Sequence, residues 1–501
     1  MAEKTKSSPG PGESKGNGAS FSAQTARASL ELAPPSTRMQ FRSPSPIKRP
    51  DDLFLSLLSP ARTYTLRANF LWNAAGSAIF SLSQWGILVV FAKLGSAALV
   101  GQLVFGLALT TPLFVITGLQ LRSIQATDAD NRHTIGQYLG LRVLTTVAAV
   151  VVALVAVAII WVTSAQLALI ILLWTLSKAV ESGSDVLYGF FQQSERMDYV
   201  GFSLILRGLL AVAGVAVLFR AIHSAPLALV ALVVGWGAVL ILFDIPVARI
   251  LLRQRQRPVL TSDTIAETLR LVLDRRRLTP LCLEAAPLGA VAFLLAIQGQ
   301  APRYVVAGLL HASDLGLFSA AAYLTFIGAM LVNALGAPAC VRLARYHVAG
   351  AHSAFRQLLT KLLLVAGALG ITGILVSASA GGRILALLYT NEYSRMAGVL
   401  TMLCAGSALS YVASFLGYGM TALQRYRIQV PIFVGVVLIT LLSCYFLTRL
   451  YGVMGTAAGM LIGNLGQVLM SAAVVWRTIR RDGKHSVAGS CEALGTAESV
   501  S

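Results

Sequence analysis

Trp174, Lys178, Glu181, Asp185, Tyr188 and Gln192 interrupt an otherwise apolar stretch at intervals of four, three, four, three and four. On an α-helix that spacing lines all six along one face. Lys178 and Glu181 fall near the middle of a run long enough to cross a bilayer. A charge at that depth costs at least about 2.5–3.5 kcal/mol on insertion scales, so this face must look into protein or water, not lipid. Two kinds of chemistry suit it. One is an ion pair, Lys178 with Glu181 one turn on, that locks a helix bundle. The other is the wall of a passage for a polar or anionic substrate. The length of the stripe favours the passage, because a purely structural pair does not need six residues.

Other polar residues sit in apolar runs. Asn69, Asn73, Ser77 and Gln84 form a stripe on the first run. Their amides and hydroxyls suit either neighbouring helices or sugar hydroxyls. Arg142 and Lys361 occupy matching places in two halves of the chain; both lie near a membrane face, where snorkelling is the simpler account. Arg207 is deeper and would add positive charge to a cleft. Asp244 and Glu284 stand near helix ends, as proton or cation sites or as interhelical partners. Arg303 is expected past the outer end of the seventh helix, guarding a mouth or solvated.

These residues must be positioned by a membrane protein. The 501 residues are 56% hydrophobic and 12% charged, half the charge of an ordinary soluble domain, with a mean hydropathy of +0.72. Apolar runs near 67–92, 99–121, 137–161, 166–191, 199–219 and 226–251 are followed by a second set near 279–299, 315–340, 356–379, 397–422, 428–448 and 455–477. The fold class expected is therefore an all-α polytopic membrane protein of about twelve transmembrane helices. The halves repeat one pattern: YGFFQQSERMDYVGFSLILRGLL corresponds to YGMTALQRYRIQVPIFVGVVLIT. Six spans per half is an even number, so the two six-helix bundles are parallel repeats facing a central cleft.

The expected organisation is a disordered cytoplasmic tail (1–62), an N-terminal lobe (63–251), a cytoplasmic linker (252–278), a C-terminal lobe (279–480) and a cytoplasmic tail (481–501). The first segment is rich in Ser, Pro, Gly and Lys, lacks a sustained apolar run and has no signal-peptide core. Its Leu53-Phe54-Leu55 patch is expected to belong to a plain linker. Lys and Arg in the loops on the side of the N-terminus outnumber those on the other side by about three to one, which places both termini in the cytoplasm.

The net charge of +19 follows from that bias and from the anionic leaflet it faces; no basic folded module accompanies it, so nucleic acid is excluded as a partner. Cys282, Cys340, Cys404, Cys444 and Cys491 show no paired spacing and read as small apolar residues. No GxxxxGK[ST] phosphate loop, HExxH, Cys/His cluster or nucleophile elbow occurs, and the histidines fall mostly in loops. The expectation is a transporter and not an enzyme, with no cofactor and no metal.

Several loose motifs recur in order across both halves. They are Gly101-Gln102 at the start of the second helix, Leu121-Arg122 at its exit, Tyr138 to Arg142, and SERMDYVGFSLILRG. The second half adds Asp314-Leu315-Gly316-Leu317-Phe318-Ser319, Leu388-Tyr389 with Glu392-Tyr393, and Tyr451-Gly452 with Gly455-Thr456-Ala457-Ala458. Over about 67–480 the chain resembles the polysaccharide flippases of the multidrug/oligosaccharidyl-lipid/polysaccharide exporter superfamily. The resemblance implies twelve helices in two lobes that move an undecaprenyl-diphosphate-linked oligosaccharide across the bacterial inner membrane, for polysaccharide or O-antigen export. It also implies a cationic cavity, H+ or Na+ as coupling ion, membrane lipids as surroundings and polysaccharide assembly enzymes as partners. Lys178, Arg142 and Arg207 would attract the diphosphate, partly offset by Glu181 and Asp185. Where the family carries an acidic residue after the seventh helix, Gln298 and Gln300 stand near Arg303. The expected substrate-binding set is Lys178, Glu181, Asp185, Arg142, Arg207, Asn69, Asn73, Trp174, Tyr188 and Arg303. Rival readings are a drug or cation antiporter that uses Glu181, Asp185 and Asp244, an integral membrane glycosyltransferase with Asp314 or Glu392 as its carboxylate, and a non-transporting scaffold.

Overall fold

The computed structural model describes residues 66–128, 130, 132–255, 271–423 and 426–498. The tail 1–62, with its Leu53-Phe54-Leu55 patch, and most of the linker 252–278 lie outside the described residues. The remainder is helical: α1 (Leu66–Leu94), α2 (Ala97–Gly118), α3 (Leu121–Thr127), α4 (Ile135–Trp161), α5 (Ala165–Gln193), α6 (Met197–Ile222), α7 (Ala225–Val239), a π-helical turn Leu240–Asp244, α8 (Ile245–Arg255), α9 (Arg275–Leu309), α10 (Ala312–Leu324), α11 (Phe326–Val348), α12 (His352–Leu388), a 3-10 turn Asn391–Met396, α13 (Ala397–Ala422) and α14 (Tyr426–Glu498). Eleven of the described helical stretches are long and apolar enough to cross a membrane. The last, Ile428–Thr478, has 51 residues, about 77 Å at 1.5 Å per residue and more than twice a hydrocarbon core.

α14 reverses direction at Gly452, where φ is +58° and ψ is −139°, a conformation that suits glycine. Its two limbs fold back on each other. The Thr448 and Thr456 hydroxyls are 2.7 Å apart, and the Ser443 hydroxyl donates to the Gly459 carbonyl at 3.0 Å. Twelve crossings result among the described residues. The helices are longer than the apolar runs suggested in the second half. α9 in particular continues through Pro302 to Leu309, so Arg303 lies inside the helix, not beyond its outer end. The Gly299-Gln300-Ala301-Pro302 sequence reads as a loop, but a membrane helix tolerates such breakers where neighbours satisfy its backbone.

The connections at the Ser96/His311 end are short except for residues 389–396, which hold the 3-10 turn. The turns Gly95–Ser96, Val162–Ser164, His223–Ser224 and Leu310–His311 each take two or three residues, and Gly452 alone makes the last. At this end the two lobes share one apolar core. Ile87, Phe91, Val100 and Val104 of the first lobe pack with Leu315, Phe318, Leu400 and Leu403 of the second. Glycines permit the approach of α2 to α10: a Cβ at Gly101 would strike the Ala312 carbonyl, and one at Gly316 the Ala97 carbonyl. Trp85 Nε1 donates to Tyr389 Oη at 2.8 Å, and that hydroxyl donates to the Ala320 carbonyl at 3.0 Å, a hydrogen-bonded chain from α1 to the second lobe.

Toward the opposite end the cores separate. α10 ends at Leu324, and α11 continues against α12 and α13 around Val332, Leu343, Phe355 and Phe415. α9 stays with the first lobe there, through Leu278, Leu281 and Ala285 against Leu121, Tyr138 and Val186. The lobes are thus joined at one end and diverge toward the other, which leaves a cleft open at the Arg122 end.

Candidate functional site

α5 presents Lys178, Glu181 and Asp185 toward α2, α3 and α4. Lys178 Nζ lies 2.7 Å from Glu181 Oε2. Asp185 Oδ2 lies 3.0 Å from Arg142 Nη2 on α4, and its Oδ1 is 3.8 Å from Arg122 Nη1 on α3. These five side chains line one partly open cavity of about 410 Å3, together with Thr111, Gly118, Gln120, Ser123 and Ser182. Three cations face two carboxylates, so the cavity is net positive by one charge. Lys178 and Glu181 keep 18% and 31% of their side chains exposed; they face cavity space and not lipid, which resolves the cost of charge at that depth.

The cations differ in how firmly they are held. Arg142 is held at all three of its nitrogens: Nε donates to the Ser182 carbonyl at 3.2 Å, Nη1 to the Gly118 carbonyl at 3.0 Å and Nη2 to Asp185. Gly118 ends α2, so Arg142 satisfies one of that helix's orphan carbonyls. Next come Leu119 and Gln120, two non-glycine residues with φ of 50° and 53°. Consecutive left-handed residues of this kind cost energy and tend to mark functional positions. Here the break turns α3 so that Arg122 points into the cavity. Arg142 therefore positions the site, while Arg122 and Lys178 are the cations with capacity for a ligand.

Below the cavity, the loop after α3 is tied by Asp128. Its carboxylate accepts from the backbone N–H of Arg132 (2.9 Å) and His133 (3.1 Å) and from the Tyr138 hydroxyl (3.2 Å). Burial by itself would raise this carboxyl, but the two backbone donors and the hydroxyl outweigh it and hold Asp128 below the ordinary carboxylate range. The Gln193 side chain at the end of α5 donates to the Asp128 carbonyl at 2.7 Å, which couples the loop to the stripe.

A second polar group lies on the far side of α5. Arg207 of α6 and Asp244 of the π-helical turn are 1% and 0% exposed and 3.4 Å apart. Ser184 and Ser203 donate to the two Asp244 oxygens at 2.5 and 2.6 Å, Tyr188 bonds Ser203 at 2.7 Å, and Arg207 also bonds Ser184. The π turn inserts the extra residue that aims Asp244 inward, a common placement for such bulges. Arg207 and Tyr188, expected among the ligand contacts, are in this sealed network and not in the cavity. Burial of an arginine among serines and a carboxylate decides it: Arg207 is matched internally.

The remaining expected residues are scattered. Asn69 donates to the Glu195 carbonyl at 2.7 Å, clasping the α5–α6 turn, and Asn73 is half-buried on the same helix. Trp174 lies one turn beyond Lys178 and lines a separate gap of about 20 Å3 with Gln84 and Tyr323. Arg303 stands on α9, bonded to Gln300 Oε1 at 2.7 Å. Gln192 and Lys361 are exposed, and Glu284 lies 3.4 Å from His133 on the surface. In the sequence Arg122 figures as part of the Leu121-Arg122 motif at the exit of the second helix and not among the expected ligand contacts, and Gln120 and Ser182 carry no signal of their own. Nothing in the order of residues announces the αL break that brings Arg122 inward. Among the described residues no group of three or more His, Cys, Asp or Glu is placed to hold a metal ion.

The family model for polysaccharide biosynthesis proteins matches residues 66–347, more than half of the chain and all of the charged cavity. The chain belongs to the polysaccharide biosynthesis protein family. Within the polysaccharide biosynthesis setting, the capsular polysaccharide biosynthesis protein CapF of Staphylococcus aureus is 23% identical over 393 residues, which span 78% of this chain and 94% of CapF. Two solved structures share the fold with a TM-score of 0.63 each. One is an inward-facing multidrug resistance MATE family transporter of the MOP superfamily, 12% identical over 87% of this chain and 99% of that one. The other is the lipid II flippase MurJ in an inward closed conformation, 11% identical over 83% and 91%. This family member is accordingly a multi-pass membrane protein whose fold is similar to those of both structures.

Proposed function

We propose that the protein is a flippase that carries an undecaprenyl-diphosphate-linked oligosaccharide from the inner to the outer leaflet of a bacterial inner membrane by alternating access. The observation that carries this reading is the net positive cavity of Arg122, Arg142, Lys178, Glu181 and Asp185, set in a cleft that is shut at the opposite end. With both termini in the cytoplasm, as the Lys and Arg bias requires, the open end faces the cytoplasm, where such a substrate is made. The diphosphate would displace Glu181 from Lys178 and Asp185 from Arg122 and take up charge-assisted bonds from both cations. Its prenyl tail would stay in lipid while the sugars cross in the cleft, which avoids taking their hydroxyls through hydrocarbon.

The rival readings are less well served. Asp244, one of the carboxylates a cation antiporter would need, is sealed against Arg207 at 0% exposure, and in the cavity the cations outnumber Glu181 and Asp185. Asp314 caps α10 through the His311 N–H, and Glu392 pairs with Arg395, which leaves a glycosyltransferase little to work with. The test is export in cells that carry Lys178→Ala at wild-type protein level. Loss of surface glycan with accumulation of the lipid-linked intermediate is expected; normal export would remove the site assignment.

A further inference from the structure

Arg303 is an intramembrane cation that has no carboxylate within ion-pair distance among the described residues. Its Nη1 is occupied by the side chain of Gln300 and, at 3.3 Å, by the Gly299 carbonyl. Its Nε is buried and finds no hydrogen-bond partner among the described residues. An ionised group within a span is costly and by default marks a ligand site. Its guanidinium lies over the Tyr323 ring, 5.8 Å from the centroid, and Tyr323 shares a small gap with Trp174 and Gln84 of the first lobe. Trp174 is only 4% exposed, and its indole N–H is likewise buried without a partner. Tyr323 therefore stands between the two sides: its ring faces the Arg303 guanidinium and lines the gap that Trp174, with its unused indole donor, and Gln84 share.

In this state the gap of about 20 Å3 holds no more than one water, and the two sides belong to different lobes. Parting of the lobes separates Trp174 and Gln84 from Tyr323 and makes room between them. Trp174 is one helical turn, about 6 Å, from Lys178 along α5, so a cargo whose diphosphate sits in the cavity reaches this cluster with its sugars. Aromatic faces stack on the C–H faces of pyranose rings, and a guanidinium takes a carboxylate through two parallel bonds.

We infer that Trp174, Tyr323, Gln84 and Arg303 form a second cargo subsite that selects a carboxylate-bearing sugar, with Arg303 as the residue that reads the acid. This rests on the flippase reading for the route by which the sugar arrives. It departs from the cavity reading in assigning glycan chemistry, and not diphosphate chemistry, to the second lobe.

The test uses the full-length protein in lipid nanodiscs, titrated separately with glucuronate, glucose and pyrophosphate and followed by tryptophan fluorescence. The wild type is expected to take glucuronate about tenfold more tightly than glucose, the discrimination of one charge-assisted hydrogen bond. Arg303→Gln should erase that preference and Arg303→Lys should recover part of it, which also controls for misfolding. Lys178→Ala should weaken pyrophosphate and keep the preference for the acid sugar. Equal affinity for the two sugars in the wild type, or a preference that survives Arg303→Gln, overturns the inference. A loss in Arg303→Gln that falls on pyrophosphate alone would assign the residue to the diphosphate and overturn it as well. Acid-sugar preference without pyrophosphate binding would instead remove the cavity reading and leave the subsite standing.

Discussion

Arg207 and Lys178 are both cations inside spans, yet the structure gives them opposite tasks, and replacing each separates the two. Arg207→Met leaves Asp244 fully buried with only Ser184 and Ser203 to support its charge. Breaking a buried pair on one side costs about 3–5 kcal/mol, and exposures of 1% and 0% put this pair at that end of the range. Lys178→Ala also strands a carboxylate, but Glu181 is 31% exposed to the cavity, where water screens it. The cost there lies between that of a surface pair and a buried one, about 1–2 kcal/mol. Unfolding of the purified protein by titration with SDS in mixed micelles reads the difference. Arg207→Met should be the less stable by about 2 kcal/mol or more, and Arg207→Met with Asp244→Leu should regain most of the loss, since neutral residues of similar size replace a buried pair at little cost. In an export assay the order reverses: Lys178→Ala is inactive near normal stability, and the double variant keeps activity in proportion to the protein that folds. Equal destabilisation by the two single variants, or an inactive but fully stable Arg207→Met, would refute the assignment of Arg207 to structure.

Three further outcomes follow from the geometry. Trp85→Phe and Tyr389→Phe each remove the hydrogen bond between the lobes, and each should raise labelling of a cysteine placed at Val100 by an impermeant thiol reagent from outside by about 2- to 10-fold, one net hydrogen bond; the pair together should add little to either alone. Gly101→Val drives a side chain into the Ala312 carbonyl, so the same labelling should rise further, and an unchanged reading would show that the lobes do not meet there. Asp128 is held below its ordinary range, so its contribution is full above about pH 4, the unfolded value, and is lost as pH falls through the folded one. Asp128→Asn should therefore destabilise at pH 7, with the gap to wild type closing in strong acid, as thermal unfolding at the two pH values would report.

The spans were legible because hydrophobic runs must be long in lipid, and the α5 stripe because helical periodicity puts Lys178, Glu181 and Asp185 on one face. Arg142 was found from its repeat position, although its three hydrogen bonds make it a brace and not a snorkelling surface residue. Arg207 misled for the opposite reason: depth in a span says that a charge must be satisfied, not whether protein or ligand satisfies it. Arg122 and Asp244 depend on backbone irregularities, the αL pair at Leu119–Gln120 and the π-helical turn. Neither has a signature in residue type, since both occupy ordinary apolar and polar letters. Arg303 lies inside α9 and not past its end, because the helix continues to Leu309, beyond the apolar run that ends near residue 299.

The succession of tight turns at the Ser96/His311 end bears on how the protein meets the outside world. In the proposed orientation the outer surface carries connections of one to three residues and the 3-10 turn Asn391–Met396. Antibodies, phage tail fibres and extracellular proteases all need a protruding segment to grip, and this face offers almost none. Epitope tags and fluorescent fusions would find few tolerant insertion points there.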